Sequence, residues 1–228
     1  MIGLEKELFL FNSKGKLVLN PGKYGFETDN LGVLVEIRGE PKNTVEEAVA
    51  SLLSKELLAK GKAAKHNYQL KEVPSVKLSD EEILEVTKRY HKEYEEKFSP
   101  KSKECRVAKK LELAVINAGL HVHFSREINI PQNKTIIKLL VMNNDKDSRI
   151  EKEISHESES YTVQTFIDIP KIISTLDNSF KEEIKKTNRR LSAYEIKGHG
   201  FEYRSLPNNI DLSKVSAICS DLSPLFSI

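Results

Sequence analysis

The chain has 228 residues, 39% hydrophobic and 31% charged, a length that suits one well-buried domain and a composition that excludes intrinsic disorder. Its net charge of +2, with basic and acidic residues interleaved, gives no reason to expect nucleic acid as a partner. Cys105 and Cys219 offer no disulfide framework, no basic-then-apolar leader opens the chain, and no apolar run nears the roughly 18 residues of a membrane helix; a soluble cytoplasmic protein with no membrane partner is expected.

Residues 2–12 alternate as a strand, with Leu4, Leu8 and Leu10 on one side and Glu5, Glu7, Phe9 and Phe11 on the other. Lys6 falls on the apolar side, a flaw that snorkelling or an edge position would excuse. Residues 13–16 read as a hairpin turn returning through residues 17–19. A second strand is expected over 32–38, with Val33, Val35 and Ile37 behind and Leu34, Glu36 and Arg38 in front. Asn43 and Glu46 form a capping-box signature for a helix whose Val45, Ala48, Val49, Leu52, Leu53 and Leu57 make one apolar stripe, ended by Gly61. After an extended segment within 68–78, Ser79 and Glu82 open a highly charged surface helix reaching residue 98, with Ile83, Val86, Tyr90 and Tyr94 as a thin stripe.

Residues 99–103 read as a loop, 111–125 as one strand or two joined near 117–119, and 135–142 as another strand. The polar stretch 143–160 is weakly periodic and reads as a mobile excursion or an irregular helix. Pro170 suits the first turn of a helix carrying Ile172, Ile173, Leu176, Phe180 and Ile184. A loop then holds Arg189, Arg190, Tyr194 and Glu195, a strand covers 201–206, and Asp211 caps a last helix with Leu212, Val215, Ile218 and Leu222 inward. Without repeats or a linker, this order fits a single α+β domain over 1–228 with a mainly antiparallel sheet.

The stretch Gly119-Leu120-His121-Val122-His123-Phe124-Ser125 turns two imidazoles and a hydroxyl one way and three apolar side chains the other. Alone, such a pair describes an ordinary solvated strand face. Two further strands repeat the spacing, with Glu5 and Glu7, and with Glu202 and Arg204. Carboxylates and an imidazole from neighbouring strands suit Mg2+ or Mn2+, and zinc is less favoured because no cysteine lies near. An arginine fork beside them suits phosphate, which together points to nucleotide phosphoryl chemistry. Neither a Walker loop nor a kinase glycine-rich loop occurs, so ATP would bind through metals on an open sheet.

Gly3-Leu4-Glu5-Lys6-Glu7, Gly119 to Ser125, and Gly200-Phe201-Glu202-Tyr203-Arg204-Ser205-Leu206-Pro207 together resemble the motifs of the carboxylate–amine ligases, the superfamily of glutamine synthetase and glutamate–cysteine ligase, and most of all its compact phage and bacterial amidoligases. The resemblance spans nearly the whole chain. It implies a curved, mainly antiparallel sheet with helices on its outer face and a funnel holding ATP and two or three metals. It implies that Glu5 and Glu7 serve different metals, that His121 shares one with Glu7 and Glu202, that His123 lies nearer the nucleotide and that Arg204 contacts the transferred phosphate. Asp29 and Glu36 match further family acids, and Arg189 and Arg190 match arginines ahead of the last motif; a solvated helix end is the plain alternative for these two. The implied activity joins a carboxylate to an amine through an acyl phosphate, with Glu195 as the candidate proton acceptor. Small-molecule or peptide substrates and a homo-oligomer are compatible with it.

Three other readings stay open: a phosphotransferase to a guanidine-type group, a cupin-like metal barrel built on the two histidines, and a catalytically silent binding protein. The barrel wants a third histidine in the sheet, whereas His66, His91 and His156 lie in helical or irregular contexts and only His199 adjoins a motif strand.

Overall fold

A computed structural model describes residues 1–29, 32–97, 115–125, 136–143, 146–153, 162–187, 189–197 and 200–225, and for 90–97, 136–143, 146–153 and 162–167 the backbone course alone. The alternation of the first residues builds β1 (Ile2–Asn12), the centre of an antiparallel sheet. On one side it pairs with β2 (Leu34–Arg38) and on the other with β6 (Gly119–Ser125). Beyond β6 come β11 (Gly200–Pro207) and β10 (Tyr194–Lys197), giving the order β10-β11-β6-β1-β2. Phe9 pairs with both Leu34 and Lys71, so β3 (Tyr68–Lys71) continues the β6 side of β1.

The even residues of β1 and the apolar residues of β6 and β11 face α1 (Val45–Lys65), α3 (Ile169–Lys185) and α4 (Leu212–Leu222) in the main core. Leu4, Leu8, Leu120, Val122 and Phe124 are buried there, each contributing about 1.5–3 kcal/mol of transfer free energy. The opposite face is divided. Around Phe9 and Leu34 it is apolar and is roofed by Val86 of α2 (Asp80–Lys97) and Ile116 of β5 (Val115–Asn117), which pairs with β4 (Ser75–Lys77). Towards Glu5 it is polar and open. A separate sheet has β7 (Ile136–Asn143) between antiparallel β8 (Lys146–Glu153) and parallel β9 (Thr162–Asp168). The molecule is thus mixed α and β with a mostly antiparallel sheet. No helix among the described residues is long and apolar enough to cross a membrane.

Local chemistry explains several departures from expectation. Lys6 neither snorkels nor lies at an edge: it is buried in the central strand, where its Nζ lies 3.1 Å from Glu56 and 3.0 Å from Glu72. Val33 joins the cluster around Phe9, because β2 begins only at Leu34 and the Asp29 carboxylate accepts the N–H groups of both Val33 and Leu34. Thr44, not Asn43, caps α1 by accepting the Glu47 N–H. Gly61 does not end α1, since burial of Ala63 in the core offsets the roughly 1 kcal/mol cost of a helical glycine. The stripe is narrower than expected: Val45, Ala48 and Leu52 are buried, but Leu53 and Leu57 face solvent.

The helix α2 is less superficial than its charge suggests, because Val86 is buried on the site side of the sheet. Residues 146–153 form β8, whose ladder with β7 requires no hydrophobic alternation. Tyr194 and Glu195 lie in β10, not in a loop. Other features follow their sequence signals, including the reciprocal Ser79–Glu82 box and the Asp211 cap. The loop at 99–103, residues 111–114, Cys105, His156 and His199 lie outside the described residues, as does the His91 side chain.

Candidate functional site

Strand order converts three separate two-residue patterns into one patch. Glu5 pairs across the sheet with Arg38 on one side and His121 on the other, Glu7 pairs with Glu36, and His123 pairs with Glu202. Side chains directly opposite one another on one face of an antiparallel sheet lie close enough to interact. The β11–β6 register shifts between Tyr203 and Leu206, so Arg204 and Ser205 together oppose His121. Such a bulge turns a side chain out of the strict alternation. The bulge is pinned from outside: Arg189 Nη2 donates to the Arg204 carbonyl at 2.6 Å, the Arg204 N–H donates to Ala193 O, and Ala193 N–H donates to Ser205 Oγ.

His121 is the hub. Its Nδ1 lies 2.9 Å from Glu202 Oε1 and 3.4 Å from Glu5 Oε1, and its Nε2 lies 3.7 Å from Glu7 Oε2. Burial lowers the imidazole's proton affinity, but Glu202, Glu5 and Glu7 outweigh it and lift the pKa to about 9. Conversely, burial raises the Glu202 carboxyl, yet His121 and Lys197 hold it far below the usual carboxylate range. Glu5 is held low in the same way, burial being outweighed by His121 and Arg38. Glu36 goes the other way, to about 7, because burial and the Glu5 charge exceed the pull of Arg38.

Buried His121 Nδ1 makes no directed hydrogen bond, although both carboxylate oxygens are near. One ligand atom each from Glu5, His121 and Glu202 falls within a 4.8 Å span. An orphaned ring nitrogen facing convergent carboxylates fits a divalent cation, with the metal replacing the proton between them. The three-ligand group contains Glu5 where the resemblance implied Glu7; the Glu7 carboxylate faces the other ring nitrogen and also accepts the Gly119 N–H at 2.7 Å. A Cβ on Gly119 would come within 2.3 Å of Arg189 Nη2, so glycine there permits the guanidinium to lie against β6.

The patch floors a cavity of about 640 Å³ lined by His123, Glu36, Arg38, Glu195, Lys197 and Arg204 among others. Lys197 Nζ bridges Glu202 at 2.9 Å and Glu195 at 3.0 Å, and Arg204 Nη1 bonds Glu195 at 2.8 Å. These cations hold the Glu195 carboxyl below its usual range, Lys197 first, which makes it a weak proton acceptor. Arg38 Nε donates to Glu5 at 2.9 Å, and its Nη2 contacts Glu36.

Glu5, Glu7, Glu36, His121, His123, Glu195, Glu202 and Arg204 are therefore brought together. Asp29 engages the β2 entry through its Oδ1 while its charge still acts on Glu36, Arg189 pins the bulge from behind while its charge acts on Glu7, and Arg190 is exposed. His66 caps α1 and stacks near Tyr68, outside the patch. Lys197 is the residue sequence reasoning missed. Its spacing from Glu195 repeats the two-residue pattern of the other strands and was its only signal. Compared with family models, curated proteins and solved structures, the chain matches none.

Proposed function

We propose that the protein is an ATP- and Mg2+-dependent carboxylate–amine ligase, related in fold to the glutamine synthetase and glutamate–cysteine ligase catalytic sheet. The observation that carries this reading is the convergence of Glu5, His121 and Glu202 on adjacent strands, with Arg204 and Lys197 beside them at the rim of one cavity. Glu5, His121 and Glu202, with Glu7 and Glu36 adjoining, would hold the divalent cations, which neutralise nucleotide phosphate charge when bound. A substrate carboxylate oxygen attacks the γ-phosphorus of ATP, releasing ADP and forming an acyl phosphate. Arg204, whose fork can engage two oxygens, and Lys197 face the charge of the moving phosphoryl group. An amine then attacks the acyl carbon, the bond from that carbon to the phosphate oxygen breaks, and inorganic phosphate leaves with the proton the amine gives up.

Balanced charge at the rim supports this assignment. Lys197 and Arg204 are paired with Glu195 and Glu202 rather than free, so phosphate oxygens and metal ions exchange places with existing partners instead of entering an uncompensated field. The test is Mg2+-dependent release of ADP and phosphate with hydroxylamine as amine and a panel of carboxylates. Hydroxamate is expected with particular acids and is lost in Glu202→Ala. ADP formation on a guanidine acceptor without phosphate release would instead establish a phosphotransferase.

A further inference from the structure

The helix α1 buries one side against the sheet and leaves the other bare. Leu57 and Leu58 are 72% and 68% exposed and Leu53 is 49% exposed, the most open of the large apolar side chains on this helix. Clustered exposed leucines mark a surface that another molecule covers. The outward positions 47, 50, 54, 57, 61 and 64 follow the alternating three- and four-residue steps of a helix–helix seam, and all six are exposed. Ala50, Ser54, Gly61 and Ala64 along it are small enough to admit a second helix closely.

We infer that α1 is a self-complementary surface on which a second copy of this chain docks its own α1 antiparallel. A twofold axis between Lys55 and Glu56 places Leu57 opposite Ser54 and Ala50 opposite Gly61, each pair centred on the same point, with Leu53 and Leu58 flanking the seam on its two sides. The same axis sets Glu47 beside Lys65 at both ends. Neither side chain has a partner among the described residues, whereas the neighbouring Glu46 accepts from Ser220. Acid at the start and base at the end of one helix match only when the second runs the other way. A parallel pair would bring like charges together. The helix packs on the sheet face opposite the cavity, so both cavities stay open in the pair, and the inference does not depend on the proposed activity.

The 21-residue helix is about 31 Å long, and its single face supplies about half of the roughly 800 Å² per partner of a standard interface. Association is therefore concentration-dependent, with a midpoint on the order of 1–100 µM.

Sedimentation of the full chain across that range tests it. The mass is expected to rise from 25.9 kDa towards twice that value. Leu57→Arg keeps it monomeric, and its thermal melt below the midpoint concentration matches that of the wild type, because the side chain is exposed. Lys65→Glu weakens association about three- to tenfold through two like-charge contacts, and adding Glu47→Lys restores it. A monomer at every concentration, a dimer that survives Leu57→Arg, or a charge swap that fails to restore association would each overturn the proposal.

Discussion

Consecutive residues of β1 lead to two buried charge clusters of opposite character. Behind the sheet, Lys6 lies within 3.1 Å of Glu56 and Glu72, and Lys60 contacts the same two carboxylates. Two cations meet two anions, and the cluster is closed. In front, Glu5, Glu7, Glu36, Glu195 and Glu202 face Arg38, Arg189, Lys197 and Arg204, and the charges balance only while His121 holds a proton. A buried ion cluster that serves the fold satisfies its own groups. One whose balance depends on a proton held at a ring nitrogen without a directed hydrogen bond is arranged for a cation to take that proton's place.

The contrast breaks most completely at Glu202. Glu202→Ala is expected to remove hydroxamate formation altogether while a native circular dichroism spectrum persists; retained turnover would dissolve the distinction between the two clusters. Behind the sheet the effect is on stability. Lys6→Met removes one of the two cations on buried Glu56, leaving Lys60 as its remaining partner, and is expected to cost about 2–4 kcal/mol in urea unfolding, whereas Lys6→Met with Glu56→Leu recovers most of it. A neutral single variant would show that the rear cluster is not the closed network described.

Titration sharpens the comparison because it acts on the front cluster. The folded pKa of His121, about 9, lies above its unfolded value near 6.5. Its contribution to metal-free stability is therefore fully present below about pH 6.5 and is lost as pH rises through about 9. Divalent-ion affinity rises over the same window, since the ion takes the neutral ring. His121→Gln removes the His121 part of both profiles and leaves the part set by Glu36 near pH 7, which unfolding at several pH values and calorimetry can check. The smallest expected effect is Gly119→Ala, which pushes on Arg189 and costs about 1–3 kcal/mol, with loosened geometry at the Arg204 bulge.

What was legible in the sequence is what a strand writes locally. Glu5 and Glu7, His121 and His123, and Glu202 and Arg204 announce a common face because strand side chains alternate, but only the pairing order brings them to one place. The Lys6 cluster was illegible because its partners lie 50 and 66 residues away, on α1 and just after β3. Lys197 was missed because a four-residue strand carries too little periodicity to separate it from a loop. Leu53 and Leu57 read as part of the inward stripe because helical spacing identifies an apolar stripe without showing how much of it the sheet covers.

The most direct measurement is Mn2+ binding followed by loss of the free-ion paramagnetic resonance signal, in the wild-type chain, Glu202→Gln and Lys6→Met side by side. Saturable binding in the wild type and in folded Lys6→Met, and its loss in Glu202→Gln, is the predicted result. Equal binding by wild type and Glu202→Gln, or no binding by either, would contradict the assignment of the front cluster as a metal-holding catalytic centre.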